Sequence, residues 1–327
     1  MAALATVNDP DLHKDLVSLG FIENLQISGA DVSFTVMLTT PACPMKERIR
    51  RDCVDALQRI PGIGSIDLKF DARVRQDSRL KGKANFPFKN VIAVGAGKGG
   101  VGKSTVAVNL AVSLAASGAA VGLLDADIYG PNLPSMLGAE EAPQQVNNIL
   151  LPVEKHGLKL MSMGFLIPPD KALVWRGPMI HSTINQLLTQ VDWGDLDYLV
   201  VDLPPGTGDA QMSLAQQIPI TGAVVVTTPQ GVSISDTRRG IDAFVKLEVP
   251  VLGVVENMAG DIFGSGAGEA AAKEMNVNFL GRLPLNAAIA AAGERGVPYL
   301  LEEDSSAFKE IAGHVAAALS VGALGAR

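Results

Sequence analysis

Cysteine is nearly absent from this chain of 327 residues, represented by Cys43 and Cys53 alone. Two thiols exclude a disulfide framework, and one chain cannot build a four-thiolate metal site from them. Aromatic residues make up only 5%, which suits backbone-built binding loops better than an aromatic-lined pocket. Basic residues, 27 against 34 acidic ones, leave a formal charge of −7 and a pI near 5.2. A broad nucleic-acid-binding surface is therefore not expected. The opening residues, MAALATVNDPDLHKD, lack the basic segment and apolar core of a signal peptide. The uncharged run from Ser104 to Leu124 is interrupted by Asn109, Ser113, Ser117 and Gly118. It reads as a buried helix plus a buried strand, not a membrane span. A cytoplasmic protein with no membrane role is expected.

Glycine is plentiful, at 34 residues, and apolar residues reach 47%, so the chain can bury a sizeable core, in about two domains at this length. Residues 1–70 read as a small α+β unit: a short helix over Asp9–Gly20, strands at Ile22–Ile27 and Val32–Leu38, a helix from Pro44 to Ile60, and a strand at Ser65–Phe70. Residues 71–90 hold Arg73, Arg75, Arg79, Lys81, Lys83 and Lys89 against Asp71 and Asp77, without hydrophobic periodicity before Phe86. They are read as a basic, solvated linker. From residue 91 onward, apolar runs at Val91–Val94, Ala120–Leu124, Tyr198–Val201, Ala223–Thr227 and Val251–Val255 alternate with helical stretches. That pattern predicts an α/β domain over 91–327, a mainly parallel sheet flanked by helices. Phe308, Ile311, Ala312, Val315 and Leu319 form one helical stripe, expected to dock on the body.

Gly97-Lys98-Gly99-Gly100-Val101-Gly102-Lys103-Ser104-Thr105 satisfies G-x-x-x-x-G-K-[ST] between a strand and a helix. Glycines at these positions let backbone N–H groups converge on phosphate oxygens, and the helix N-terminus favours the anion. Lys103 is expected at the β- and γ-phosphates of ATP and the Ser104 hydroxyl on Mg²⁺. Asp125 and Asp127 end the second strand, where ligand-facing loops begin; either could instead cap a helix. Asp202 ends the strand Tyr198–Val201 and is followed by Pro204-Pro205-Gly206-Thr207-Gly208-Asp209, a loop suited to moving when a γ-phosphate departs.

The form GKGGVGKS, with Lys98 after the first glycine, resembles the deviant Walker A group that includes MinD, ParA and nitrogenase iron protein. That resemblance implies that Lys98 crosses a homodimer interface to the partner's nucleotide; the alternative is an exposed loop lysine. It also implies that Asp127 orients the attacking water, that Asp125 bears on Mg²⁺ through water, and that Asp202 is the Walker B carboxylate. Asn257 resembles the group's adenine-reading asparagine, or is a turn residue. With DADIYGPN at Asp125–Asn132, Trp175-Arg176-Gly177-Pro178-Met179, DYLVVDLPPGTGD at Asp197–Asp209 and Glu256-Asn257-Met258, the chain from Val91 onward resembles the Mrp/ApbC family of iron–sulfur cluster carrier ATPases. Asp9-Pro10-Asp11, Asp15–Gly20 and Thr39–Pro44 resemble the small iron–sulfur-assembly domain of many bacterial members. Partners implied are iron–sulfur scaffold or recipient proteins. The Trp175–Pro178 stretch is family-like, but its spacing assigns it no chemistry.

One departure stands out. The family carries a Cys-x-x-Cys pair after the ENM motif, with which two chains bridge a [4Fe–4S] cluster. Here Ala259-Gly260-Asp261 leads directly into Ile262-Phe263-Gly264, and no cysteine follows Cys53. A bridging cluster at the usual place lacks its thiolate ligands. Cys43, just before Pro44 at a predicted helix start, is the remaining thiol; the helix dipole is expected to stabilise its thiolate. Cys53 is expected to be core packing. Two functions follow: an ATP-hydrolysing dimeric switch in iron–sulfur cluster assembly or transfer, or a cluster-free regulatory P-loop ATPase whose nucleotide state controls a partner.

Overall fold

The structure is a computed structural model that describes residues 1–80, 86–166, 177–303 and 305–325; Trp175 and Arg176 lie outside them. The chain begins with β1 (Ile22–Ser28), β2 (Asp31–Leu38), α1 (Lys46–Gln58) and β3 (Ile66–Ala72), which form a three-stranded sheet ordered β1-β2-β3. In β2, Val32, Phe34 and Val36 alternate onto α1, whose Ile49, Cys53, Ala56 and Leu57 complete a separate core. Pro61 and Gly62, whose φ is +86°, follow the helix end.

The helix expected over Asp9–Gly20 is not there. Asp9 turns its Oδ1 onto the N–H groups of Asp11 and Leu12, Asp15 Oδ1 accepts from Ser18 N, and His13 takes a positive φ. Short acidic side chains here bond the backbone locally and outcompete the helical ladder. The basic segment 71–90 is also more than a tether. Val74 and Leu80 are buried, Asp77 is enclosed and accepts two bonds from the Arg79 side chain, and Asp77 N donates to the Lys89 carbonyl.

The larger part is built from β4 (Phe88–Ala96), α2 (Lys103–Ala116), β5 (Val121–Asp125), α3 (Leu133–Met136), a small hairpin of β6 (Gln145–Val146) and β7 (Ile149–Leu150), β8 (Val153–Lys155), β9 (Leu158–Ser162) and α4 (Gly177–Thr189). It continues through β10 (Leu196–Asp202), α5 (Asp209–Gln217), β11 (Gly222–Thr227), α6 (Gly231–Lys246), β12 (Val251–Ala259), α7 (Ala267–Glu274), β13 (Phe279–Pro284), α8 (Ala287–Glu294), α9 (Tyr299–Glu302) and α10 (Ser306–Gly325). The main sheet runs β13-β12-β11-β4-β10-β5-β9-β8, parallel except for the edge strand β8. All five expected apolar runs are strands of it. β8, β9 and β13 were not foreseen, because Lys155, Lys159 and Arg282 interrupt their apolar character.

Two apolar layers, one on each face of the sheet, account for the continuous hydrophobic runs. α10 is long and apolar enough to cross a membrane by length and composition. Its stripe of Phe308, Ile311, Ala312, Val315 and Leu319 is buried against the body instead. The small domain rests on that same helix: Gly313 lies against the Ala42 carbonyl and Pro44, and the buried Tyr198 hydroxyl donates to Thr40 Oγ1 at 3.0 Å.

Candidate functional site

Parallel strands bring their carboxyl ends to one edge, so β4, β5 and β10, adjacent in the sheet, deliver the bend 97–102, Asp125 and Asp202 to one place. The bend has its shape for steric reasons. A Cβ on Gly97 would sit 2.1 Å from the Asp236 carbonyl oxygen of α6. Gly102 has φ of +80°, and a Cβ there would meet the Asn257 amide at 2.2 Å. Gly99 and Gly100 are exposed, with no close neighbour of a Cβ. The bend is thus clamped from behind and open in front, ahead of the N-terminus of α2, whose first N–H groups have no helical partner.

Lys103 Nζ is buried and donates to Asp202 Oδ1 at 2.6 Å and Ser104 Oγ at 3.2 Å, with Asp127 Oδ2 3.4 Å away. Ser104 Oγ donates to Asp202 Oδ2 at 2.6 Å. Burial pushes the Asp202 carboxyl above the usual range, against the opposing pull of Lys103. Asp125 is wholly buried, and its carboxyl is pushed up to about 7, by burial first and then by the Asp202 charge. Its Oδ1 accepts from Asp127 N, and its Oδ2 from Leu133 N and Ser162 Oγ. Hydroxyl and carboxylate oxygens side by side are the donor set a Mg²⁺ ion requires, and an open, glycine-lined bend fits the phosphates of a nucleotide.

Asn257 lies within β12 rather than in a turn, and its Nδ2 donates to the Val101 carbonyl at 2.9 Å, bracing the bend. Beside it, the buried Glu256 accepts from Gly266 N, Gly268 N and Arg282 Nε. Burial alone would raise its carboxyl; these three donors hold it below the usual range. They tie down the short loop that replaces the expected cysteine segment. The loop closes through reciprocal backbone bonds between Gly260 and Gly264 and leaves Ile262 exposed. Lys98 is half-exposed, and its ammonium has no ion-pair partner among the described residues. Ser162 and Asp236 belong to no motif and gain their role only through strand register and helix packing; Glu256 stands in the Glu256-Asn257-Met258 motif, but only the fold shows what its carboxylate holds.

Cys43 departs from expectation. Its thiol is pushed up to about 11, by burial foremost, and the neighbouring Asp11 and Asp9 add to the rise. The Met45 N–H works the other way. α1 begins only at Lys46, so one amide is too little to offset burial. Cys43 lines a cleft of about 350 Å³ with Pro41, Ala42, Ser113, Ala116 and Ala312, far along α2 from the phosphate bend. Cys53 is fully buried in the small core, as expected. Among the described residues no three His, Cys, Asp or Glu side chains are grouped to hold a metal ion.

Two family models match the chain. Residues 87–320 match the NUBPL iron-transfer P-loop NTPases, and residues 1–68 match the iron–sulfur cluster assembly proteins. The chain belongs to the P-loop family of iron–sulfur cluster carriers. A Synechocystis iron–sulfur cluster carrier protein is 50% identical, covering 98% of each chain, and the Escherichia coli K12 carrier is 42% identical over 97% of this chain and 90% of that one. The chloroplastic Fe-S cluster assembly factor HCF101 of Arabidopsis thaliana is 41% identical over 94% of this chain and 60% of its own length. An Archaeoglobus fulgidus nucleotide-binding protein solved with ADP superposes with TM-score 0.60 at 34% identity, covering 70% of this chain and 92% of that one. The Pyrococcus furiosus cell-division ATPase MinD, 24% identical over 69% of this chain and 98% of its own, shares the fold with TM-score 0.56.

Two outcomes are expected from this geometry. Gly97→Ala forces the bend away from Asp236 and lowers nucleotide affinity by at least about tenfold in a calorimetric titration; unchanged affinity contradicts the clamp. In a Cys53→Ala background, Cys43 alkylates slowly at pH 7, and its rate climbs about tenfold per pH unit toward pH 10, because the thiolate fraction grows until the thiol pKa is reached. A plateau below pH 8 contradicts the masked thiol.

Proposed function

We propose that this chain is a Mg²⁺-dependent, slowly turning-over ATPase that works as a nucleotide-switched homodimer in iron–sulfur cluster assembly or transfer. The observation that carries it is the convergence of Lys103, Ser104, Asp127 and Asp202 beneath the open bend at 97–102. ATP is the substrate. The amides of Gly99, Gly100, Val101 and Gly102 and of the first turn of α2, including Thr105, grip its phosphates, and Lys103 exchanges carboxylate partners for phosphate oxygens. Ser104 and Asp202 would hold Mg²⁺, which neutralises phosphate charge when bound. Asp127 orients the attacking water. Asp125 contributes charge next to that metal position and fixes the start of the loop that carries Asp127.

The homodimer reading draws on Lys98 and on the surface around the site. Tyr129, Val232 and Ile262 are each more than 70% exposed, and all three follow carboxyl ends of parallel strands, the edge that carries the bend. An apolar rim around a charged centre suits a second copy of the chain, with Lys98 reaching its nucleotide. Asn257 braces the bend from inside; contact with adenine is its second proposed role. Scaffold or recipient proteins for iron–sulfur clusters are the proposed partners, and two unpaired cysteines fit a reducing cytoplasm.

The cluster itself is cargo, and the donors for it are few. Two Cys43 thiols per dimer supply half of a four-thiolate set, so a partner or a small thiol must complete it. The Synechocystis alignment runs over 346 positions, longer than this chain, so that relative carries residues missing here. Few donors and a masked thiol favour a second reading, a cluster-free ATPase that controls a partner. Lys103→Ala is expected to abolish MgATP turnover, and Asp127→Ala to slow it at least about tenfold with binding intact. Full turnover in Lys103→Ala refutes the site. Anaerobic reconstitution with iron and sulfide, followed by absorbance, separates the two functions: a chromophore lost in Cys43→Ser supports carriage, and its absence in the unaltered protein supports the regulator.

A further inference from the structure

Outside every motif, one buried hydroxyl is directed at the acidic end of β5. Ser162 closes β9, the strand beside β5, and register places it opposite Asp125. It is completely buried. Its Oγ donates to Asp125 Oδ2 at 2.9 Å and accepts from Gly164 N at 2.9 Å. The turn that follows presses on the loop beyond β5 as well: a Cβ on Gly164 would lie 3.2 Å from Pro131.

The loop from Asp125 to Leu133 is tied at both ends to one carboxylate. Asp127 N donates to its Oδ1 at 3.2 Å, and Leu133 N to its Oδ2 at 3.2 Å. Ser162 is the side-chain donor to that carboxylate from a neighbouring strand. Asp127, whose N–H bonds the same carboxylate, places its Oδ2 3.4 Å from Lys103 Nζ. We propose that Ser162 is a positioning residue for ATP hydrolysis, acting through Asp125 on the loop that holds Asp127. The proposal rests on the reading of the bend as an ATP-hydrolysing site.

The test uses the full chain, with kcat for MgATP and Kd for nucleotide measured separately. Ser162→Ala is expected to lower kcat about tenfold while Kd stays within about threefold, because the phosphate-gripping bend is untouched. Ser162→Thr restores the hydroxyl and is expected within about threefold of the unaltered kcat. In an Asp125→Asn background, Ser162→Ala is expected to change kcat less than about twofold, since the relay is already broken. Where alanine prevents folding, Ser162→Cys, of similar size and a weak donor, is expected to show a loss of at least about threefold. Unchanged kcat in the folded alanine or cysteine variant overturns the proposal. So do a joint loss of binding and turnover that threonine does not rescue, and an equal tenfold loss in the Asp125→Asn background. Each of these, with turnover of the unaltered chain intact, sinks Ser162 alone; no turnover in the unaltered chain sinks the hydrolysis reading and the proposal together.

Discussion

The contact between Lys103 and Asp202, at 2.6 Å with almost no exposure of either side chain, is the constraint around which the site is arranged. Charges removed from water cost several kcal/mol each unless paired and hydrogen-bonded. Here one ammonium faces two buried carboxylates, Asp127 and Asp202, with Ser104 bonded to the second and buried Asp125 beside Asp202 in the sheet. Burial foremost, with the neighbouring carboxylate adding to it, displaces both Asp125 and Asp202 upward. Carboxylate and hydroxyl oxygens beneath a bend lined with amide donors give the site two chemically different halves, and the proposed MgATP matches both.

Holding such a site requires the surrounding fold to be stiff where the chemistry is. The bend is backed by α6, which approaches so closely that Gly97 admits no side chain, and by Asn257 bonded to Val101. Glu256, the residue before, uses its carboxylate on α7 and Arg282. Two successive residues of β12 thus secure the phosphate bend on one side and the short 260–266 loop on the other. That loop is where this chain departs from the cysteine-bearing pattern of the family, and in place of thiols it presents Ile262.

The small domain adds the remaining chemistry and shields it. Its Thr40 receives the Tyr198 hydroxyl, and its Cys43 segment lies against α10 and the far end of α2, the helix that begins at Lys103. Burial and two nearby aspartates keep the thiol protonated. The family's cargo chemistry and this chain's two thiols are therefore not matched one to one.

Local sequence carried much of this. The glycine-lysine motif, five apolar runs and the carboxylates at strand ends are readable in one dimension, because phosphate binding demands a fixed spacing of residue types and a strand buried on both faces demands a continuous apolar run. The strands with Lys155, Lys159 and Arg282 do not read as apolar runs: β8 and β13 are edge strands, which tolerate charge, and in β9 the Lys159 ammonium bonds the Trp193 carbonyl. The Asp9–Gly20 segment misled because short acidic side chains satisfy the backbone without a helix. Which residues surround the motif was settled only in three dimensions. Ser162 meets Asp125 through the register of β9, Asp236 meets Gly97 through the packing of α6, and Cys43 lost its expected thiolate through burial and the nearby Asp11 and Asp9, more than 30 residues before it. Hydrogen bonds and burial act through distance in space, and residues distant in sequence set both.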